Sequence, residues 1–164
     1  MNIEVDLERI ALAEARLRFA HFDAELAWEI GSRIRRHAYS ANLPIAIDVT
    51  LARAPLFYTA LSGATPDNSE WIRRKKNVVE RFHKSSYAVS LEMQQKGTTL
   101  EARTGAPFAD YVAAGGSFPI RIGGSQSVLG SVTVSGLPQR EDHQLVVRTL
   151  ADVLGQDASG LVLD

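Results

Sequence analysis

The sequence predicts a single-domain α+β (α/β) sandwich in which a largely antiparallel sheet is covered by helices. Three observations predict it. Stretches with apolar residues at three- and four-residue steps alternate with two pairs of short β-rich runs, at Ile45 to Leu61 and at Ser117 to Ser135. The members of each pair lie close along the chain, which favours antiparallel pairing. With 164 residues and no linker, repeat or low-complexity tract, residues 1–164 suit one core.

The segment Met1 to Leu17 places Leu7, Ile10, Ala11 and Leu17 on one helical face, interrupted by Glu14. From Phe22 to Asn42, Ala27, Ile30, Ile34, Ala38 and Ala41 form an apolar stripe with Arg33, Arg35 and Arg36 on the other faces, and Asp23 marks the start. Ile45, Ile47 and Val49 then alternate as a strand, with a second β-rich run from Leu56 to Leu61 completing a hairpin. The turn formers SGATPDNSE lead into a third helix capped by Asn68 or Ser69, with Trp71, Val78, Val79 and Phe82 sharing a face. SSYAVSLEMQQKG alternates like a strand, yet its paired serines and Gly97 suit a helix, which is the favoured reading. FADYVAAGG reads as a short helix ending on Gly115. SFPIRI and SVLGSVTVS form a second hairpin around Gly123-Gly124, and REDHQLVVRTLADVLG is a last helix with Val146, Leu150, Val153 and Leu154 inward.

Composition narrows the function classes. The formal net charge of −1 gives no broad field to draw nucleic acid or an anionic membrane surface. There is no cysteine, which excludes disulfides and thiolate chemistry, and the N-terminus lacks the basic leader and apolar run of a secretory signal. A cytoplasmic protein without nucleic-acid or membrane partners is expected.

Motifs are scarce. Neither a G-x-G-x-x-G nor a Walker lysine motif nor a G-x-S-x-G elbow occurs, so catalytic residues stay unassigned. His21, His37, His83 and His143 are too far apart in sequence for a local metal pair, and no metal site is expected. His83 falls near the end of the third helix, and His143 beside Asp142 in the first turn of the last, where a partly solvated structural role is the simpler reading. Arg73-Arg74-Lys75-Lys76 reads first as a solvated helix face with Glu70 and Glu80 as partners, and second as a site for an anion. Gly115, Gly116, Pro119 and Gly136 read as turn and cap residues, at least one of the Gly115-Gly116 pair having positive φ.

The stretches WIRRKKNVVERFHKSS (71–86), GGSFPI (115–120) and VLGSVTVSGLPQREDH (128–143) resemble the haem-degrading GlcG/HbpS-like domain family, in its poorly characterised bacterial and fungal branch. The likeness spans about residues 45–154. It implies a profilin-like sandwich with a five-stranded antiparallel sheet and assembly into symmetric homo-oligomers, and it makes haem the cofactor to test. One departure stands out: relatives usually carry aspartate and glycine at the first hairpin turn, where this chain has Val49-Thr50-Leu51-Ala52-Arg53 after Asp48. The leading expectation is an oligomeric small-ligand-binding protein with Arg74, Lys75, His83 and His143 as candidate contacts. A non-catalytic scaffold ranks second, and an enzyme acting on an anionic small molecule third.

Overall fold

The computed structural model describes residues 2–163. Caps set the two N-terminal helices. The Asn2 side chain accepts from the Glu4 and Val5 amides at the start of α1 (Ile3–Arg16), and Asp23 accepts from the Leu26 amide at the start of α2 (Ala24–Ser40). Ala27, Ile30, Ile34 and Ala38 are buried as their spacing predicts, while Ala41 lies exposed past the helix end. On α1, Ile10 and Ala13 are buried and Ala11 is exposed. Glu14 interrupts the apolar face because it is a docking group: it accepts from the Ser85 amide at 2.7 Å and pairs with Arg121 at 3.4 Å.

The strands are β1 (Ala46–Leu51), β2 (Ala54–Ala60), β3 (Ser117–Ile120) and β4 (Gly130–Ser135), ordered β2-β1-β4-β3 with every pairing antiparallel. The described residues form four strands, not five. The segment that reaches the edge around Phe19 makes one isolated parallel bridge to Ile122, because Phe19 and Phe22 turn into the core and meet edge to face at 4.9 Å. The connection from Arg121 to Leu129 is too long for the tight Gly123-Gly124 turn expected. At the β1–β2 turn, Ala52 and Arg53 have φ of 48° and 68°, a type I′-like geometry that Asn-Gly or Asp-Gly usually supplies.

The sheet has two unlike faces. Ile47, Val49, Phe118, Ile120, Val132 and Val134 enter the main core with α2 and with α6 (Gln139–Val153). Asp48, Thr50, Ser117, Ser131, Thr133 and Ser135 are buried too, although polar, and α3 (Pro66–Phe82) packs over this part of the sheet. They are satisfied among themselves and by α3: Ser117 and Thr133 hydroxyls lie 2.8 Å apart, Thr50 donates to Asp48 at 2.6 Å, and Lys76 donates to Thr50 at 2.7 Å and pairs with Asp48 at 3.0 Å.

The α3 helix begins earlier than its expected cap. Pro66 suits its first turn, and Asn68 accepts from the Thr65 amide at 2.7 Å, so Thr65 rather than Asn68 or Ser69 is the N-cap. The α4 helix (Ser86–Gln95) is buried from Ser86 through Leu91, which is why its sequence shows no clean amphipathic period. A short α5 (Leu100–Thr104), capped by Thr99, adds a helix beyond those the sequence predicts. FADYVAAGG, by contrast, is not a helix. Its backbone is bonded instead to α3, with Arg73 donating to the Ala109 carbonyl at 2.7 Å and Asn77 to that of Asp110 at 2.8 Å.

No helix therefore precedes Gly115, and the glycine pair serves close approach. A Cβ on Gly115 would lie 1.9 Å from the Gln139 carbonyl oxygen. Gly116 has φ of 126°, and its Cβ would lie 2.3 Å from the Val134 oxygen and 2.7 Å from Lys75 Nζ. Pro119 sits in β3, an edge strand, where its missing N–H is tolerated. Gly136, at φ of 149°, leaves room for the Pro44 carbonyl. Gly116→Val should lower folding stability by at least about 2 kcal/mol whether or not a ligand is present. A thermal melt checks this, and an unchanged midpoint would contradict it.

Candidate functional site

A cleft of about 850 Å³ opens between the first half of α3, the end of α4, the α5 start and the β4–α6 turn. The side chains of α3 that reach it are Asp67, Asn68, Trp71 and Lys75, which recur at three- and four-residue steps, so one helical face forms a wall. Met93, Phe108 and Tyr111 add apolar lining, and Ser90, Gln94 and Gln139 add polar groups. Trp71 is held by its Nε1, which donates to Asp67 at 2.9 Å.

At the cleft floor Lys75 and Asp142 form a buried ion pair of 2.9 Å. Lys75, 3% exposed, also donates to the Val134 carbonyl at 3.0 Å, and Asp142 accepts from the Leu137 amide at 3.0 Å. Asp142 stands in the first turn of α6, where a carboxylate meets the positive helix end. Burial is the dominant influence on both groups. It pushes the Lys75 ammonium below its ordinary pKa and the Asp142 carboxyl above its own, against the attraction each exerts on the other. Removing one partner strands a buried charge, which is far worse than removing both.

The four candidate contacts do not converge. Lys75 lines the cleft. Arg74 lies beside it, half-buried, its guanidinium 4.7 Å from the Trp71 ring centroid and 5.2 Å from that of Phe108. His83 is exposed at the far end of α3, where it ends the helix with φ of 54° and its carbonyl accepts from Arg121. His143 is sealed in the interior rather than partly solvated, 5.2 Å from the Tyr87 ring and 6.1 Å from that of Phe118, and neither ring nitrogen has a hydrogen-bond partner among the described residues. Of the basic run only Arg73 is a solvated, exposed residue, paired with Glu70 as its spacing predicts. Lys75 and Lys76 point at Asp142 and Asp48, while Glu70 pairs with Arg73 and Glu80 with Arg53.

Asp142, Trp71, Phe108, Gln94 and Gln139 were missed as site residues. Asp142 had a signal, an acidic residue in a first helical turn, but its partner is 67 positions away. Among the described residues no group of three or more His, Cys, Asp or Glu side chains is arranged to hold a metal ion. No helix among them is long and apolar enough to cross a membrane.

Residues 22–151 match the family described as haem degrading protein, HbpS-like. A UPF0303 protein of Rhizobium meliloti is 52% identical over 164 residues, covering 100% of this chain and 99% of its own. The crystal structure of the Ybr137w protein superposes with a TM-score of 0.83 at 30% identity, over 91% of this chain and 88% of that one. That of a PduOC:Heme complex superposes with a TM-score of 0.65 over 80% of this chain and 94% of that one, and at 14% identity it shares the fold alone.

His143 makes stability depend on pH. Burial, then the nearby Arg140 charge, push its pKa down to about 3, against the opposing pull of Asp6. From pH 6.5 down to about 3 the unfolded chain therefore binds a proton that the folded chain refuses, and stability falls as pH falls. The slope from this group approaches about 1.4 kcal/mol per pH unit. Denaturant melts at several pH values should show His143→Phe with a shallower acid loss than the parent. Equal slopes would contradict the buried neutral imidazole.

Proposed function

The chain belongs to the HbpS-like haem-degrading family, and within it we propose a binding protein that holds a small ring-bearing ligand in the cleft rather than a catalyst. The observation that carries this reading is the cleft's make-up. Its volume lies in the range of small-molecule sites, its walls bring Trp71, Phe108, Tyr111 and Met93 together, and a few amides and hydroxyls supply orientation. Catalysis has less support, because no histidine lines the cleft and its lysine and Asp142 are bonded to each other.

Haem is the ligand that the family description and the PduOC complex suggest. A histidine-ligated haem does not fit this cleft: His83 lies on the outer end of α3 and His143 is enclosed by Tyr87, Phe118 and the Asp6–Arg140 pair. Of the side-chain types that hold haem iron, Met93 and Tyr111 line it.

The reading includes self-association. Trp28 is 63% exposed, standing 5.6 Å from Phe57 beside the edge strand β2, an apolar edge that a second copy would cover.

Native mass spectrometry and absorbance of the protein as purified from its source cells should reveal a stoichiometric small molecule. Phe108→Ala, at a residue 58% exposed and so at little cost to the core, should lose it. Haem titrations should be insensitive to His83→Ala. Light scattering on the same sample should give a multiple of 17.9 kDa. A bound molecule retained undiminished by Phe108→Ala would overturn the cleft as its site.

A further inference from the structure

The polar wall of the cleft presents a hydrogen-bond donor and an acceptor side by side. Ser90 Oγ donates to Gln139 Oε1 at 3.1 Å and accepts from Gln94 Nε2 at 3.3 Å, and the Gly115 amide also donates to Gln139 Oε1 at 3.3 Å. These bonds orient both amides. The oxygen of Gln139 is occupied twice, leaving its NH₂ group with no protein partner among the described residues. The nitrogen of Gln94 is occupied, leaving its oxygen without one. Both side chains line the cleft, tethered to one hydroxyl.

Charge in the cleft points the same way. Its lining carries the carboxylates Asp67, Glu101 and Asp142 and the ammonium of Lys75, which Asp142 engages, while the Arg74 guanidinium stands over the Trp71 and Phe108 rings at its edge. Asp67 and Glu101 outnumber Arg74, so an anionic ligand would meet a net negative lining, whereas an uncharged one would not. The aromatic lining favours a flat ring system that can stack.

We propose that the cleft selects an uncharged, planar heteroaromatic molecule with a lactam or imide edge, whose carbonyl accepts from the Gln139 amide and whose adjacent ring N–H donates to the Gln94 oxygen. This rests on the cleft being the ligand site, and it names the chemical class that the site takes. A dianionic porphyrin is the wrong class for this lining, since its two propionates would approach Asp67 and Glu101 with Arg74 alone to offset them.

Fluorescence can read the cleft directly, because the chain has two tryptophans and Trp28→Phe leaves Trp71 as the reporter. Lumichrome, an uncharged tricycle with an imide edge, should quench Trp71 saturably. Its 1,3-dimethyl derivative, which keeps the ring and carbonyls but has no N–H to donate, should bind at least about tenfold more weakly. Gln94→Leu, placed on the Trp28→Phe background, should abolish most of that difference by weakening lumichrome alone. Equal affinity for the two tricycles, or a difference that survives Gln94→Leu, would overturn the imide assignment. Saturable binding of protoporphyrin IX without binding of lumichrome would overturn the ligand class while leaving the cleft as the site. No saturable quenching by any of the three would overturn both.

Discussion

The ion pair between Lys75 and Asp142 is the contact on which the arrangement of this molecule depends. It joins three elements at one buried point: α3 through the lysine, β4 through the Val134 carbonyl, and the α6 entry through the Leu137 amide. Burial opposes the charge on both partners. The pair persists because backbone groups take up the bonds that water would otherwise make. It also dictates local sequence, since Gly116 must lack a Cβ where Lys75 Nζ and the Val134 oxygen crowd it.

The same logic extends across the sheet. A helix laid on a polar face of serines, threonines and an aspartate needs donors that reach down to them, and Lys76 supplies these to Asp48 and Thr50. One turn of α3 thus presents two lysines inward and, at Arg73 and Asn77, side chains that strap residues 109–110 alongside. That strap places Phe108 and Tyr111 at the cleft, and the pair closes its floor. The ligand site is in this sense a by-product of how the polar sheet face is satisfied.

Much of the fold was legible because it obeys local rules. The apolar stripe of α2, the Asp23 cap, both strand pairs and the α6 core face all follow from spacing that a single helix or strand imposes. What escaped was decided by distant partners. Arg74-Lys75-Lys76 looks like a solvated run until Asp142 and Asp48 are folded against it. FADYVAAGG has helical spacing but trades its own hydrogen bonds for side chains of α3. His143, beside a polar helix start in sequence, is sealed by Tyr87 and Phe118 from other elements. The Gly115-Gly116 pair signalled tight geometry correctly, yet the crowding comes from Gln139 and Val134 rather than from a preceding helix.

Lys75 and Asp142 act as one unit, which a double-mutant cycle would reveal as strong coupling. Lys75→Met and Asp142→Leu should each destabilise by about 3–5 kcal/mol, because each leaves a buried charge alone. The double variant, with no charge left to strand, should be markedly more stable than either single variant, giving a coupling of several kcal/mol. Additive losses in urea melts, with the double variant the least stable of the four proteins, would contradict the account.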